Sequence, residues 1–255
     1  MAWPRFYVEN LPALGTIVLD EDESRHASGV LRMSVKDDCL AFDGCGGEAR
    51  CTVSKVSKRA VELQIVERLD TDRELAKKTY FAVALPKGDR QKTLIDFMVP
   101  LGVYSFQPLL TKRGVAQPVD AALARLRRSV LEASKQCGRN HLMQVLEPLD
   151  LAQVVKPASA EPNSRSENSA QGDLAATELR IFAHPYGATQ RLHALQSVAS
   201  LASSVRVLIG PEGGFTEEEA QALRTAGWTA TSLGPRIMRV EVAATHVASW
   251  LAEVT

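Results

Sequence analysis

Val205-Arg-Val-Leu-Ile-Gly-Pro-Glu-Gly-Gly-Phe-Thr-Glu-Glu-Glu219 reads as three things in succession: an apolar strand, a glycine-rich turn and the start of a helix. Val205–Ile209 is the short, nearly continuous apolar run of a strand buried on both faces. In Gly210-Pro211-Glu212-Gly213-Gly214 the glycines let a ligand approach the main chain, and the proline stiffens the turn. Thr216 fits an N-cap, and Glu219 three residues later can complete a capping box. Such a turn lies at the C-terminal end of a parallel strand, where open α/β sheets bind ligands. A purely structural turn has the same composition, so this stretch alone leaves binding open.

A second Gly-Pro loop, Leu233-Gly-Pro-Arg-Ile-Met-Arg239, follows the strand candidate Thr229–Leu233 and precedes another helix. Two such loops at neighbouring strand ends can frame one pocket, with Ile237 and Met238 as apolar walls. In the helix predicted over Val240–Val254, Val240, Ala243, Val247, Trp250 and Val254 recur at spacings of 3, 4, 3 and 4, an apolar stripe for the core or for a dimer contact. Tyr80–Leu85, Ser105–Leu110 and Leu179–Ala183 are further strand candidates. Strands alternating with helices argue for an α/β class with a mainly parallel sheet covered on both faces. Neither GxGxxG nor GxxxxGK[ST] occurs, which disfavours a conventional dinucleotide or phosphate cradle.

The N-terminal part reads differently. From Asp38 to Leu69 the chain alternates as strands do, with Val61, Leu63 and Ile65 set between Glu62 and Gln64, and it turns at Asp43–Gly47. Arg5–Val8 and Thr16–Leu19 are strand candidates, and Ser24 opens a short helix running through His26 and Leu31. These residues predict a small, mostly β domain followed by a polar linker over 70–78. The segment PASAEPNSRSENSAQGDLAAT before Glu178 has no periodicity and predicts a mobile insertion over 155–178 without chemistry.

The chain has 255 residues, 45% of them apolar, and no run approaches the roughly 20 apolar residues of a membrane helix. The N-terminus lacks a basic start followed by an apolar segment, so a cytoplasmic location is expected, with no membrane partner. Cys39, Cys45, Cys51 and Cys137 form no CxxC pair, and the five histidines stand singly, so no metal is expected. Formal net charge is zero. Over residues 112–139, however, seven basic side chains face two acidic ones, a local charge of +5 that suits a phosphate-facing patch and equally a solvated helix face.

Gly210–Gly214 with Phe215, Thr216 and Glu219, followed by Leu233–Arg239, resembles the two C-terminal motifs of the RsmE family, methyltransferases of the SPOUT class that act on N3 of a uridine in 16S ribosomal RNA. Arg25-His26 with Val30-Leu31-Arg32-Met33, Lys87-Gly88 before Leu101-Gly102-Val103, and Glu132-Ala-Ser-Lys-Gln-Cys-Gly-Arg139 are similar to its other motifs and stand in the family's order. The resemblance implies a small PUA-like β-barrel domain that binds RNA (1–72), then a SPOUT-type α/β domain (73–255) with a deep trefoil knot. It also implies S-adenosyl-L-methionine as methyl donor, a homodimer, and 16S rRNA within the assembled small subunit as substrate. Carried onto this sequence, the donor site comprises Ile209, Gly210, Glu212, Gly213, Gly214, Leu233, Gly234, Ile237, Met238 and Arg239. His184, in Ala183-His-Pro-Tyr after a strand, is a further lining candidate, where a satisfied histidine at a strand end is the more frequent outcome. RNA contacts fall to Arg25, His26, Arg32, Arg113, Arg128 and Lys135, where a solvated helix face is the competing reading for the first three.

The reaction places two further demands on the residues. Uracil N3 bears a proton that must leave, or the developing anion must be stabilised. Arg139 is the expected stabilising cation, and Glu212 either takes the proton or shapes its loop. The chain departs from the family's usual residues at Lys92, Phe97, Pro100 and Lys112, and at Val240 and Val242 two hydroxyls are lost. Two rival functions therefore stay open: an RNA- or subunit-binding paralogue without efficient catalysis, and methylation of a different RNA position.

Overall fold

The computed structural model describes residues 3–57, 60–116, 119–155, 178–188 and 190–254. The insertion expected over 155–178 therefore lies outside the described residues, apart from Val155 and Glu178. The chain forms two units, Met1–Glu74 with Arg128–Leu142, and Leu75–Arg127 with Met143–Thr255.

The first unit is built on an open five-stranded sheet: β1 (Arg5–Tyr7), β2 (Thr16–Val18), β3 (Asp38–Phe42), β4 (Glu48–Val56) and β5 (Val61–Leu69), in the order β1-β3-β4-β5-β2. β1 and β3 run parallel and the other pairs antiparallel, so the sheet is a half-barrel with β1 and β2 as its edges. Its core is what the alternation predicts: Val61, Leu63 and Ile65 point inward against Phe6, Ile17, Ala41 and Val53. The first helix, α1 (Glu21–Arg25), starts three residues before the expected Ser24. Asp20 caps it by accepting from Glu23 N at 2.7 Å, and three acidic residues fill its first turn, where they favour the helix dipole. Ser24 is instead a buried tie: its hydroxyl donates to the Leu19 carbonyl at 3.0 Å and accepts from Val61 N at 3.1 Å. A π-helical turn, His26–Val30, follows.

After that turn the chain reverses at Ser34–Asp37, where Asp37 N donates to the Ser34 carbonyl at 3.1 Å and Lys36 adopts φ +81°. This is the turn position that glycine normally fills, and a left-handed conformation costs an L-residue about 1–2 kcal/mol. Lys36→Gly is accordingly expected to raise the stability of the half-barrel by about 1 kcal/mol after the extra unfolded-state entropy of glycine is allowed for. Urea unfolding checks this, and an unchanged or lowered midpoint would refute the strain argument.

Residues 128–142 cluster with this unit, whereas a boundary at 72/73 assigns them to the second domain. Polar ties account for the difference. Arg5 Nη2 donates to Asn140 Oδ1 at 2.7 Å, Asn140 Nδ2 donates to the Thr71 carbonyl at 3.0 Å, and Arg73 Nη1 donates to the Gly138 carbonyl at 3.0 Å.

The second unit holds a wholly parallel sheet among the described residues. Its strands are β6 (Lys78–Val83), β7 (Ser105–Leu110), β8 (Gln144–Val145), β9 (Leu149–Asp150), β10 (Glu178–Ala183), β11 (Gln190–Arg191), β12 (Ser204–Ile209) and β13 (Thr229–Ser232). The order is β11-β13-β10-β12-β6-β7-β8, with β9 also on β7. The helices are α2 (Arg90–Met98), α3 (Asp120–Cys137, which enters the first unit at Arg128), α4 (Leu151–Val154), α5 (Gln196–Leu201), α6 (Glu217–Thr225) and α7 (Val240–Val254). Phe182, Leu208 and Ala230 of the sheet pack with Leu151, Ala220, Leu223 and Trp228, burying the apolar sides of α4 and α6. After β13 the chain returns past β10 and β12, and α7 packs on β6, β12 and α2. Val240, Ala243 and Val247 are buried, as their spacing predicts. No helix among the described residues is long and apolar enough to cross a membrane.

Candidate active site

The turn between β12 and α6 and the turn between β13 and α7 leave the sheet at the carboxyl ends of their strands. A third segment, His184–Gly187, leaves β10 at the same end. Together they line one cavity of about 240 Å³. The helix that follows the first turn is fixed by the capping box expected from sequence. Thr216 Oγ1 accepts from Glu219 N at 3.2 Å, and Glu219 Oε2 accepts from Thr216 N at 2.7 Å. Glu219 Oε1 also accepts from Lys112 N at 2.8 Å, tying the end of β7 to the start of α6. The second loop closes on itself, with Gly234 N donating to Ser232 Oγ at 3.3 Å.

Every residue named for the donor site lines this cavity except Arg239, which is exposed and stands just before α7. Sequence reasoning missed Arg113, Tyr186 and Arg236 as lining residues, along with Phe215 and Val240. Arg113 was expected to face RNA; here its Nη1 donates to the Gly213 carbonyl at 2.7 Å. Glu212 is ion-paired with Arg90 at 3.0 Å. His184 is 6% exposed, and among the described residues neither ring nitrogen has a hydrogen-bond partner. Burial, reinforced by the Arg224 charge and opposed by Glu217, holds its pKa below the ordinary value, so the imidazole is neutral at pH 7. A buried neutral imidazole without a partner is costly unless something polar fills the cavity.

The other named residues lie in the first unit. Arg139 is 4% exposed, with Nε donating to Glu74 Oε1 at 2.7 Å. It is thus not the solvent-accessible cation that the catalytic expectation requires. Lys135 is likewise committed, at 2.7 Å, to the buried carboxylate of Glu23. Arg25 pairs with Glu21 and Asp22, and Arg128 with Glu132 at 3.7 Å, but both side chains remain largely exposed. Arg32 is exposed, with φ +54°, and His26 is half-buried with its ring edge-on to Phe6.

A second cavity of about 440 Å³, bounded by Leu110, Lys112, Leu151 and Ala222, lacks this character. Of its three carboxylates, Asp150 and Glu219 are spent on capping α4 and α6, and Glu218 stands 3.9 Å from the Lys112 ammonium. Among the described residues no cluster of His, Cys, Asp and Glu is arranged to hold a metal.

Residues 73–252 match the family model of the RNA methyltransferase domain, and residues 19–66 that of the RNA methyltransferase PUA domain. The chain is 28% identical to ribosomal RNA small subunit methyltransferase E of Bacillus subtilis over 96% of its length and 94% of the relative's. It is 30% identical to the protein of the same name from Mycobacterium tuberculosis, over 94% and 87%. Among solved structures, a methyltransferase from Legionella pneumophila with bound SAM superposes with a TM-score of 0.84 at 26% identity, covering 99% of this chain and 98% of that one. Ribosomal RNA small subunit methyltransferase E from Neisseria gonorrhoeae, bound to S-adenosyl methionine, gives 0.83 at 26%, covering 98% and 97%. With both domain models matched in order and the two Gly-Pro loops framing one cavity, this chain belongs to the RsmE family of RNA methyltransferases.

Proposed function

We propose that this protein transfers the methyl group of S-adenosyl-L-methionine to N3 of a uridine in 16S ribosomal RNA, acting in the cytoplasm on the assembled small subunit. The cavity between the Gly210–Gly214 and Leu233–Met238 loops carries the reading, because it joins backbone-rich walls to apolar Ile237 and Met238 and to an unpartnered buried imidazole. These residues fit the donor: His184 has both nitrogens available for a ligand's polar atoms, and a side chain built at Gly234 would meet nothing within 4 Å, so the loop leaves space at the wall. The donor supplies an electrophilic methyl on a sulfonium, so the chain's own task is to orient the uridine, exclude water and manage the N3 proton.

Among the described residues Glu212 is the one carboxylate lining the cavity, and its ion pair with Arg90 favours a loop-shaping role. Arg236 is exposed at the rim of the cavity and is the cation we assign to stabilise the uridinate as N3 loses its proton. Arg139, buried against Glu74, is a positioning residue for the 138–141 segment. RNA contact by the half-barrel falls to exposed Arg25 and Arg32 and to Arg128. The knot of the family accords with the return of the chain past β10 and β12 after β13. A homodimer accords with the exposed apolar side chains of Phe97 on α2 and Val242 on α7, two helices that pack together.

The paralogue reading also has an observation behind it: buried Val240 lines the cavity where a family hydroxyl is lost. Transfer of labelled methyl to small subunits from cells lacking this protein decides between the two. Recovery of label as 3-methyluridine is the expected result. Donor binding without transfer would favour the paralogue, and label at a ribose hydroxyl would redirect the target.

A further inference from the structure

The Pro-Glu-Gly-Gly turn is held from both sides by arginines that neither of its flanking elements supplies. On one side, Arg90 at the first position of α2 places Nη1 3.0 Å from Glu212 Oε1 and 3.9 Å from Oε2 of Glu241. Glu241 lies in the first turn of α7, directly after the second Gly-Pro loop, and its Oε2 is buried without a hydrogen-bond partner among the described residues. One guanidinium thus joins the first loop to the start of the helix that follows the second. On the other side, Arg113 after β7 donates to the Gly213 carbonyl, and its aliphatic stem lies 3.3 Å from where a side chain at Gly213 would begin.

We infer that Arg90 and Arg113 form a clamp that sets the shape of the donor loop, acting as positioning residues for S-adenosylmethionine rather than as RNA contacts. This rests on the reading of the cavity as the donor site. The magnitudes support positioning over bulk stability. Arg90 and Glu212 are each more than a third exposed on their side chains, or close to it, and ion pairs of that kind add little to folding. A loop that binds through its main chain, by contrast, loses affinity whenever its resting shape must be reorganised before binding.

Calorimetric titration of S-adenosylmethionine into the full chain, without RNA, tests the clamp, together with the melting temperature of the donor-free protein. Arg90→Met, Glu212→Gln and Arg113→Met are each expected to weaken donor binding about tenfold, about 1.4 kcal/mol, with melting shifted by only a few degrees. Arg90→Lys keeps a charge at the same place and is expected to recover most of the affinity. In the Arg90→Met/Glu212→Gln double variant the loss should match that of Arg90→Met alone, because Arg90→Met already removes the contact to Glu212 along with the longer one to Glu241. Wild-type donor affinity in both methionine variants, with a raised KM for RNA, would overturn the clamp and return Arg113 to the RNA interface. Collapse of the melting temperature in Arg90→Met, Arg90→Lys and Glu212→Gln alike would overturn it in favour of a structural role. A wild-type protein that binds no donor would sink the donor reading itself, and the clamp with it.

Discussion

Gly234→Val is expected to weaken binding of S-adenosylmethionine by about 10- to 100-fold, a cost of about 1–3 kcal/mol placed on a single backbone angle. Gly234 sits at φ +134°, and the strain is conformational rather than steric, since an added side chain would meet no atom within 4 Å. A β-branched residue is excluded from that region by its own backbone. The loop must then adopt another path, which moves Leu233, Ile237 and Met238 away from the cavity they line. Pro235→Ala, one residue on and exposed, is the control and should stay within about threefold of wild type, as surface changes usually do. Calorimetry on the two variants separates the outcomes. Wild-type affinity in Gly234→Val would mean that the second loop does not shape the donor site.

That prediction rests on features legible in the residues alone, and the difference between what was legible and what was not has a physical basis. Local signals carried well. Ser105–Leu110 and Val240–Val254 keep the bounds their patterns give, because an apolar run between turn residues and a helical apolar stripe are properties of contiguous chain. The glycine-rich turns announced themselves by composition, and the Thr216/Glu219 box by spacing. Partners distant in sequence did not. Arg90 and Arg113 reach the donor loop only because the sheet order sets β12 beside β6 and β6 beside β7, and a lone arginine carries no mark of the carboxylate or carbonyl it will meet. The same limit explains Arg139 and Lys135. The sequence leads to Arg139 at the uridinate and Lys135 at RNA, whereas Glu74 and Glu23, far upstream, hold their side chains. The start of α1 was misplaced because Ser24 is a good cap by type, yet Asp20 precedes three acidic residues that suit a first turn better.

Glu48→Ala is expected to destabilise the half-barrel unit by about 3–5 kcal/mol, because it strands a buried charge. Glu48 is fully buried and pairs with Arg5, whose side chain is 8% exposed, and at 3.3 Å with Arg73, whose side chain is 41% exposed. Burial lowers the Arg5 pKa, and the neighbouring Glu48 charge works against that shift. Without the carboxylate, Arg5 keeps Asn140 Oδ1, a long contact to the Arg139 carbonyl and the face of the Phe42 ring 4.8 Å away, none of which carries a compensating charge for a desolvated guanidinium. Since a domain's whole stability is about 5–15 kcal/mol, such a loss should bring the urea midpoint sharply down. The loss belongs to the unmatched charge rather than to the worth of the pair, and a second variant tests that distinction. Arg5→Met/Glu48→Leu removes both charges while filling similar volume, so it should recover most of the stability, with Arg73 left solvated. If the double variant unfolds as early as Glu48→Ala, the deficit lies in the lost ties to Asn140 and the 138–141 segment instead, and Asn140→Ala alone should then reproduce it.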